Sequence, residues 1–433
     1  MFDLVKLILL VFFIIYSVTW LNKNNCSPIL KFTFWLVLIR LVLAAFHEHT
    51  FKLIGPVSII SVYSIVMVAT CFIYLLINKQ SIIFSKDHLF IKCILLVMCL
   101  SALLNNQILT AIPSIIKWIF LLQFTLLLLL CMRNNGADKV LKALLIAYSY
   151  PCSLLIFSIV LGEVKASEAD GSKSFIGGYF HEAVFSMIIF TAAALYLSAK
   201  LIDGKQKDLY FLPMLSFFIV MLLLINYRTT LVAFMFTVMF VLYARFNRQI
   251  YCQRIVYVLS AAGFLFIASM LDFSTIRERF IEIPEVIMNA SALIDYPEYY
   301  TRDEQRLFSG RVYMWSLYIA EALDGSSLQF FIGQGMDSWN KVFLKYAHNT
   351  FVSFFYELGI VGVILLIGFF SGIAKKILLI NNHSAKYFLF GFFISFVIIN
   401  LGTMPMWQME GIMFASILIS LTHHLSRDTH AID

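Results

Sequence analysis

Ten ionisable side chains in this sequence sit where charge is expensive or where it could act on a bound group. Arg40, His47, Glu48, His49, Lys117, His181, Glu182 and Arg228 lie within or at the ends of long apolar stretches. Arg311 and His348 lie in a polar stretch that leads into another. Ionisable groups at membrane depth are costly, so each marks a substrate or ion site by default. Several of these groups are cations. Arginine suits phosphate, because its planar fork makes paired contacts and never loses its charge. A histidine beside two arginines can take a proton from an attacking hydroxyl, while the arginines stabilise charge on a leaving diphosphate. The set therefore fits group transfer from an anionic, lipid-linked donor, with Arg228, Arg311 and His348 as the catalytic residues. No acidic cluster points to a metal, and no cofactor is expected. Each residue also has a plainer reading. Arg228 stands beside a short turn and could snorkel, Arg311 could be an ordinary surface charge, and Asn349 could do no more than cap a helix.

Spacing sharpens the pattern. In HNTFVSFFYELGIVG, from His348 to Gly362, nine residues separate Asn349 from Gly359, and two more precede Gly362. Upstream lie SGRVYMW (Ser309 to Trp315) and IGQG (Ile332 to Gly335). Gly359 and Gly362 put small faces on a helix and predict close approach by a neighbour. Asn349 and Trp315, with Arg40, Lys117 and Glu182, are the candidate substrate-binding residues. Trp315, Trp339, Tyr299 and Tyr300 are suited to stacking on sugars or to anchoring at a membrane interface.

The elements that must position these groups are membrane helices. The chain is 61% apolar, has a mean hydropathy of +0.88 and is only 13% charged. A soluble domain of this size could not cover so much apolar surface. Apolar runs of bilayer length must be helices, since lipid offers no partner to backbone polar groups. The expected class is an all-α polytopic membrane protein of about 12–13 spans, near 4–21, 29–46, 53–77, 89–104, 109–132, 140–162, 180–199, 209–226, 229–244, 255–271, 351–373, 387–402 and 409–425. Pro113 predicts a break in the fifth, and the last two are short enough to form one re-entrant hairpin around Gly402–Pro405. No cleavage site follows the first run, only Asn22-Lys23-Asn24-Asn25, so it reads as a retained helix. Lys and Arg collect in alternate loops, which places those loops and the C-terminus in the cytoplasm and the N-terminus outside. The net charge of +7 is spread over these short loops and is not a nucleic-acid signal. The seven cysteines have no metal-ligand spacing and read as apolar filler. The loop 272–347 is too long for a connector. It reads as an outward cap with an amphipathic helix from Gly310 to Ala322, inserted in a single membrane domain, 1–433.

The arginine before a tryptophan, the short Gly-x-Gly, and the His-Asn pair entering a helix together resemble the bacterial O-antigen polymerase and ligase superfamily, over about residues 220–370. The resemblance implies a metal-independent, inverting C-type glycosyltransferase of the inner membrane. It would take glycans from undecaprenyl diphosphate at the periplasmic face, with Arg228, Arg311 and His348 in the functional positions. The implied partners are lipid-linked glycan donor and acceptor, membrane lipid and a chain-length regulator protein. Three functions remain open at this point. The chain could polymerise O-antigen or related repeat units, which the SGRVYMW segment and the acid-rich cap favour; it could be a ligase to lipid A core; or it could be a flippase or lipid transporter. The last is least supported, because neither internal repeats nor mid-membrane charges on both sides are visible.

Overall fold

The computed structural model describes residues 2–55, 57–78, 88–166, 173–202, 210–246, 296–302, 304–305 and 310–427. Its helices are α1 (Phe2–Lys23), α2 (Pro28–Ala45), α3 (His47–Thr50), α4 (Ile59–Ile77), α5 (Leu89–Leu104), α6 (Ile108–Asn135), α7 (Ala137–Val160), α8 (Glu182–Ile202), α9 (Phe211–Ile225), α10 (Arg228–Phe246), α11 (Arg311–Asp324), α12 (Ser327–Ile332), α13 (Thr350–Leu378), α14 (His383–Gly402) and α15 (Met409–Arg427). Two short antiparallel ladders, Leu53–Ile54 with Val57–Ser58 and Lys165–Ala166 with Lys173–Ser174, are the strands among the described residues. Nine described helices are long and apolar enough to cross a membrane, and α5 and α9 are shorter apolar helices. This is an all-α, multi-pass membrane protein.

Twelve of the thirteen expected spans coincide with described helices; the one near 255–271 lies outside the described residues, as does the part of the expected cap before residue 296. The side of the membrane on which each terminus falls depends on that span. One expectation needs correction. Pro113 does not break its segment: α6 runs unbroken from Ile108 to Asn135. A proline this near the start removes few ladder bonds, and the apolar length beyond it packs on α4, α5 and α15. The last two segments are separate helices, of which α14 is one of the nine described helices long and apolar enough to cross. Both α14 (20 residues) and α15 (19 residues) reach about 30 Å, the thickness of a bilayer core. A 3-10 turn, Pro405–Trp407, joins them.

Burial sorts the helices. α8 is enclosed along nearly its whole length, whereas α1 and α4 turn most of their apolar side chains outward, as helices facing lipid do. The centre is packed by α6, α7, α8, α14 and α15, with Trp118, Tyr148, Phe120, Phe124, Phe185 and Phe190 among its largest enclosed side chains. A second, smaller cluster joins the outer segment to the bundle: Tyr318 of α11, Ala347, Tyr356 of α13 and Met404.

Candidate active site

Three turns meet at one end of the bundle. The first ends α9 at Asn226, whose φ of +57 lies in the left-handed region, and starts α10 at Arg228. Asparagine tolerates that backbone better than most residues. The second starts α8 at His181 and Glu182. It is tied to the first by a hydrogen bond between the hydroxyls of Ser186 and Thr230, 2.8 Å. The third joins α14 to α15, where Thr229 packs on Gly402 so closely that a Cβ there would collide with it. Thr350, at the start of α13, donates to Asn400 Oδ1 at 2.7 Å and brings the His-Asn motif to the same end.

Helix α11 clamps the motif from above. The indole N–H of Trp315 donates to the Ala347 carbonyl, 2.8 Å, and the Tyr318 hydroxyl donates to the Lys345 carbonyl, 2.9 Å. On the other side Asn349 caps α13, its side-chain oxygen accepting from the amides of Phe351 (2.9 Å) and Val352 (3.2 Å). His348 therefore stands between two anchored neighbours, with its own φ at +51. Its ring lies 4.0 Å from that of Tyr346, tilted by 36°. Nδ1 of His348 is enclosed and makes no hydrogen bond. An unpaired ring nitrogen in such a place is costly unless a ligand uses it.

Arg311, at the first position of α11, reaches across to the first turn of α10 and donates from Nη1 to Thr229 Oγ1, 3.2 Å. Arg311, His181 and Lys345 are the charged neighbours of His348. Burial first, and these groups second, push its pKa down to about 3, so the imidazole is neutral at physiological pH. Tyr346 stays a neutral phenol, its pKa raised to about 12 chiefly by burial. The structure thus brings Arg311 and His348 to the turn that carries Arg228. Glu182 is in this group through His181, whose Nδ1 lies 3.8 Å from the carboxylate and accepts from the Ala183 amide at 3.1 Å.

Arg40 and Lys117 belong to a second cluster on the same half of the protein. Arg40 is buried and paired with Glu410 of α15, 2.9 Å, and donates to Ser64, 3.0 Å. The charged groups around Lys117 are Asp337, Arg40, Glu410 and Glu357. Glu357 is fully buried in α13, where it accepts from Ser353 (2.8 Å) and from the Asp337 amide (3.1 Å), and Asp337 accepts from Ser114.

The glycine motifs join these groups. Inside α13, Gly359 has φ +65 and ψ −167 and interrupts the helical ladder. The carbonyls of Tyr356 and Glu357 accept instead from the amides of Gln334 (2.9 Å) and Gly335 (3.0 Å). A Cβ on Gly333 would run into the Glu357 backbone, and one on Gly359 into the Phe331 carbonyl. The expected close approach is real, but its partner is the Gly-x-Gly backbone after α12 rather than the face of a neighbouring membrane helix. Gly362 would meet chiefly a side chain of its own helix.

Four residues of these clusters escape a reading of the sequence: Glu357, Asp337, Glu410 and Trp407. Glu357 and Glu410 carried a usable signal, since each is an acid in an apolar context. Trp407 packs against the cluster that holds the motif loop, and its Nε1 is buried without a partner. Nothing local marks it. Of the aromatics expected to face sugars, Trp315 is engaged with Ala347, Trp339 is edge-on to Tyr346, and Tyr299 is exposed.

Residues 213–367 match the family model described as O-antigen ligase, which supports a relation of this segment to the O-antigen polymerase and ligase superfamily. The matched stretch runs from α9 into α13 and contains Arg228, Arg311, His348 and both glycine motifs. No curated protein matches the chain.

Proposed function

We propose that the protein is the polymerase of a surface polysaccharide, joining oligosaccharide repeat units carried on undecaprenyl diphosphate at the periplasmic face of the bacterial inner membrane. The observation that carries this reading is the convergence of Arg311 on the Arg228 turn beside a neutral His348 with an unbonded Nδ1. The acceptor is the terminal sugar hydroxyl of a second lipid-linked unit. Its oxygen attacks the anomeric carbon of the donor, and the bond from that carbon to the phosphate oxygen breaks. His348 takes the hydroxyl proton. Arg228 and Arg311 hold the diphosphate as it leaves with its extra charge. One displacement inverts the anomeric centre, and protein cations perform the charge stabilisation, so the purified enzyme is expected to work in EDTA. Activity lost to chelation and restored by magnesium would overturn that part.

The second reading is a ligase that moves the finished glycan to lipid A core, and the matching family is compatible with both. Both readings share the donor chemistry and differ in the acceptor. The test is a lipopolysaccharide gel of a deletion strain with an intact core, complemented with wild type or with His348→Ala. Wild type should restore the ladder. The variant should reach the membrane and leave a core bearing a single repeat unit. Bare core with polymer kept on the carrier lipid would replace polymerase by ligase, and a full ladder would remove His348 from the mechanism.

A further inference from the structure

The far end of α13 holds a second constellation. Beyond its break at Gly359, α13 runs on for about 28 Å, so Lys376, in its last turn, lies at the opposite end of the helix from His348. There α5, α13 and α15 surround a cavity of about 280 Å3 whose lining includes His88, Phe90, Gly372, Lys376, Thr422 and His423. One end is polar. The Lys376 ammonium donates to Nε2 of His423, 2.7 Å, and the His423 ring stacks on that of His88 at 5.3 Å. Both imidazoles are 4% exposed. Beside them the Thr422 hydroxyl is 1% exposed and makes no hydrogen bond. The rest of the wall is apolar, from Phe369, Ile373 and Ile419. At its edge Leu89 and Phe90 are exposed on the outside of the bundle, where a membrane protein meets acyl chains.

We propose that this cavity binds the phosphate of an anionic phospholipid in the leaflet opposite the candidate active site. An ammonium and a hydroxyl without a partner are donors that a phosphate monoanion takes, and lysine serves phosphate as a point charge. Basic pockets between membrane helices hold anionic headgroups in this way. The apolar wall and its lipid-facing edge decide for a lipid over free phosphate, which has no use for them. Gly372 keeps the wall open. A Cβ there meets Phe90 only at 3.8 Å, whereas one on Gly368, a turn earlier, would collide with the same ring.

The test uses full-length purified protein, equilibrated in mixed micelles with equal phosphatidylglycerol and phosphatidylcholine and read by native mass spectrometry. Phosphatidylglycerol should be retained in preference by about tenfold. Lys376→Gln, which removes a charge-assisted contact, and Gly372→Leu, which fills the cavity, should each cut that retention by about tenfold. Gel filtration checks that each variant is folded; Gly372→Leu leaves every polar group in place and decides the matter if Lys376→Gln does not fold. His348→Ala should retain the lipid as wild type does, which separates this site from the glycosyltransfer reading. Equal retention of the two lipids, undiminished retention in Gly372→Leu, or displacement by excess inorganic phosphate would overturn the proposal.

Discussion

Burial and three cationic neighbours hold the pKa of His348 near 3, well below the usual 6.5 of an imidazole. The sign of this shift has two consequences. In the folded, substrate-free enzyme the ring stays neutral as pH falls through 6.5, so the base remains available. The profile of kcat/KM should therefore show no acid limb at pH 6.5, and a limb at or above that value assigned to His348 would contradict the geometry. The unfolded chain does take up a proton below 6.5, so this histidine costs the fold stability as pH falls from 6.5 toward 3. Arg311 donates from one guanidinium nitrogen to Thr229, which sets its planar fork at the start of α10. Lys at 311 keeps the charge and loses the fork. Arg311→Lys and Arg228→Lys are each expected to lower kcat/KM by about tenfold or more, roughly 1.4 kcal/mol of transition-state binding. Full activity in both variants would reduce these residues to orienting charges. Residue types and spacing alone singled out this triad. They left Arg40 and Lys117 among the substrate-binding candidates rather than in the buried ion network, because a cation in an apolar run reads the same whether it meets a ligand or already holds a carboxylate.

At the scale of the element, the break in α13 governs how the outer segment docks. Gly359 works as an interruption: it turns two carbonyls toward the Gly-x-Gly amides and admits their backbone to van der Waals distance. An L side chain in the left-handed region costs about 1–2 kcal/mol, and here it also collides with the Phe331 carbonyl. Gly359→Ala and Gly333→Ala should therefore lower the melting temperature of purified protein and its yield from the membrane, as well as activity. Wild-type melting in both would show that the two backbones do not meet. The spacing of Gly359 and Gly362 was plain in the sequence, but periodicity cannot tell a glycine that packs a continuous helix from one that breaks it. That difference lies in φ and ψ, which the partner backbone imposes. The same limit applies to Pro113, where a local rule predicted a break that packing on α4, α5 and α15 overrides.

At the scale of the molecule, Arg40 and Glu410 fasten α2 to α15 across 370 residues of chain. Removing one partner of a buried pair strands a charge and costs about 3–5 kcal/mol, while replacing both by apolar side chains is nearly neutral. Arg40→Met should lower the melting temperature markedly, and Arg40→Met with Glu410→Met should restore most of it. A single variant as stable as wild type would mean that water or another group takes over the stranded carboxylate. Glu357 and Asp337 work on the same principle, binding the outer segment to α6 and α13 through side-chain hydroxyls and the Asp337 amide.

The sequence by itself determined the class of the protein, the positions of its helices and the residues of its candidate chemistry. Bilayer length and the need to satisfy every backbone group leave apolar runs no alternative to helix, and the candidate residues stand out by type and short-range spacing within their own segments. Only the tertiary structure decided which cations meet at one end of the bundle and which pair with a buried carboxylate. Thr229 with Arg311, Arg40 with Glu410, and Gly333 with Glu357 are contacts between distant segments. Each depends on which helices pack together, and hydropathy is blind to that choice because every lipid-compatible helix presents much the same apolar face.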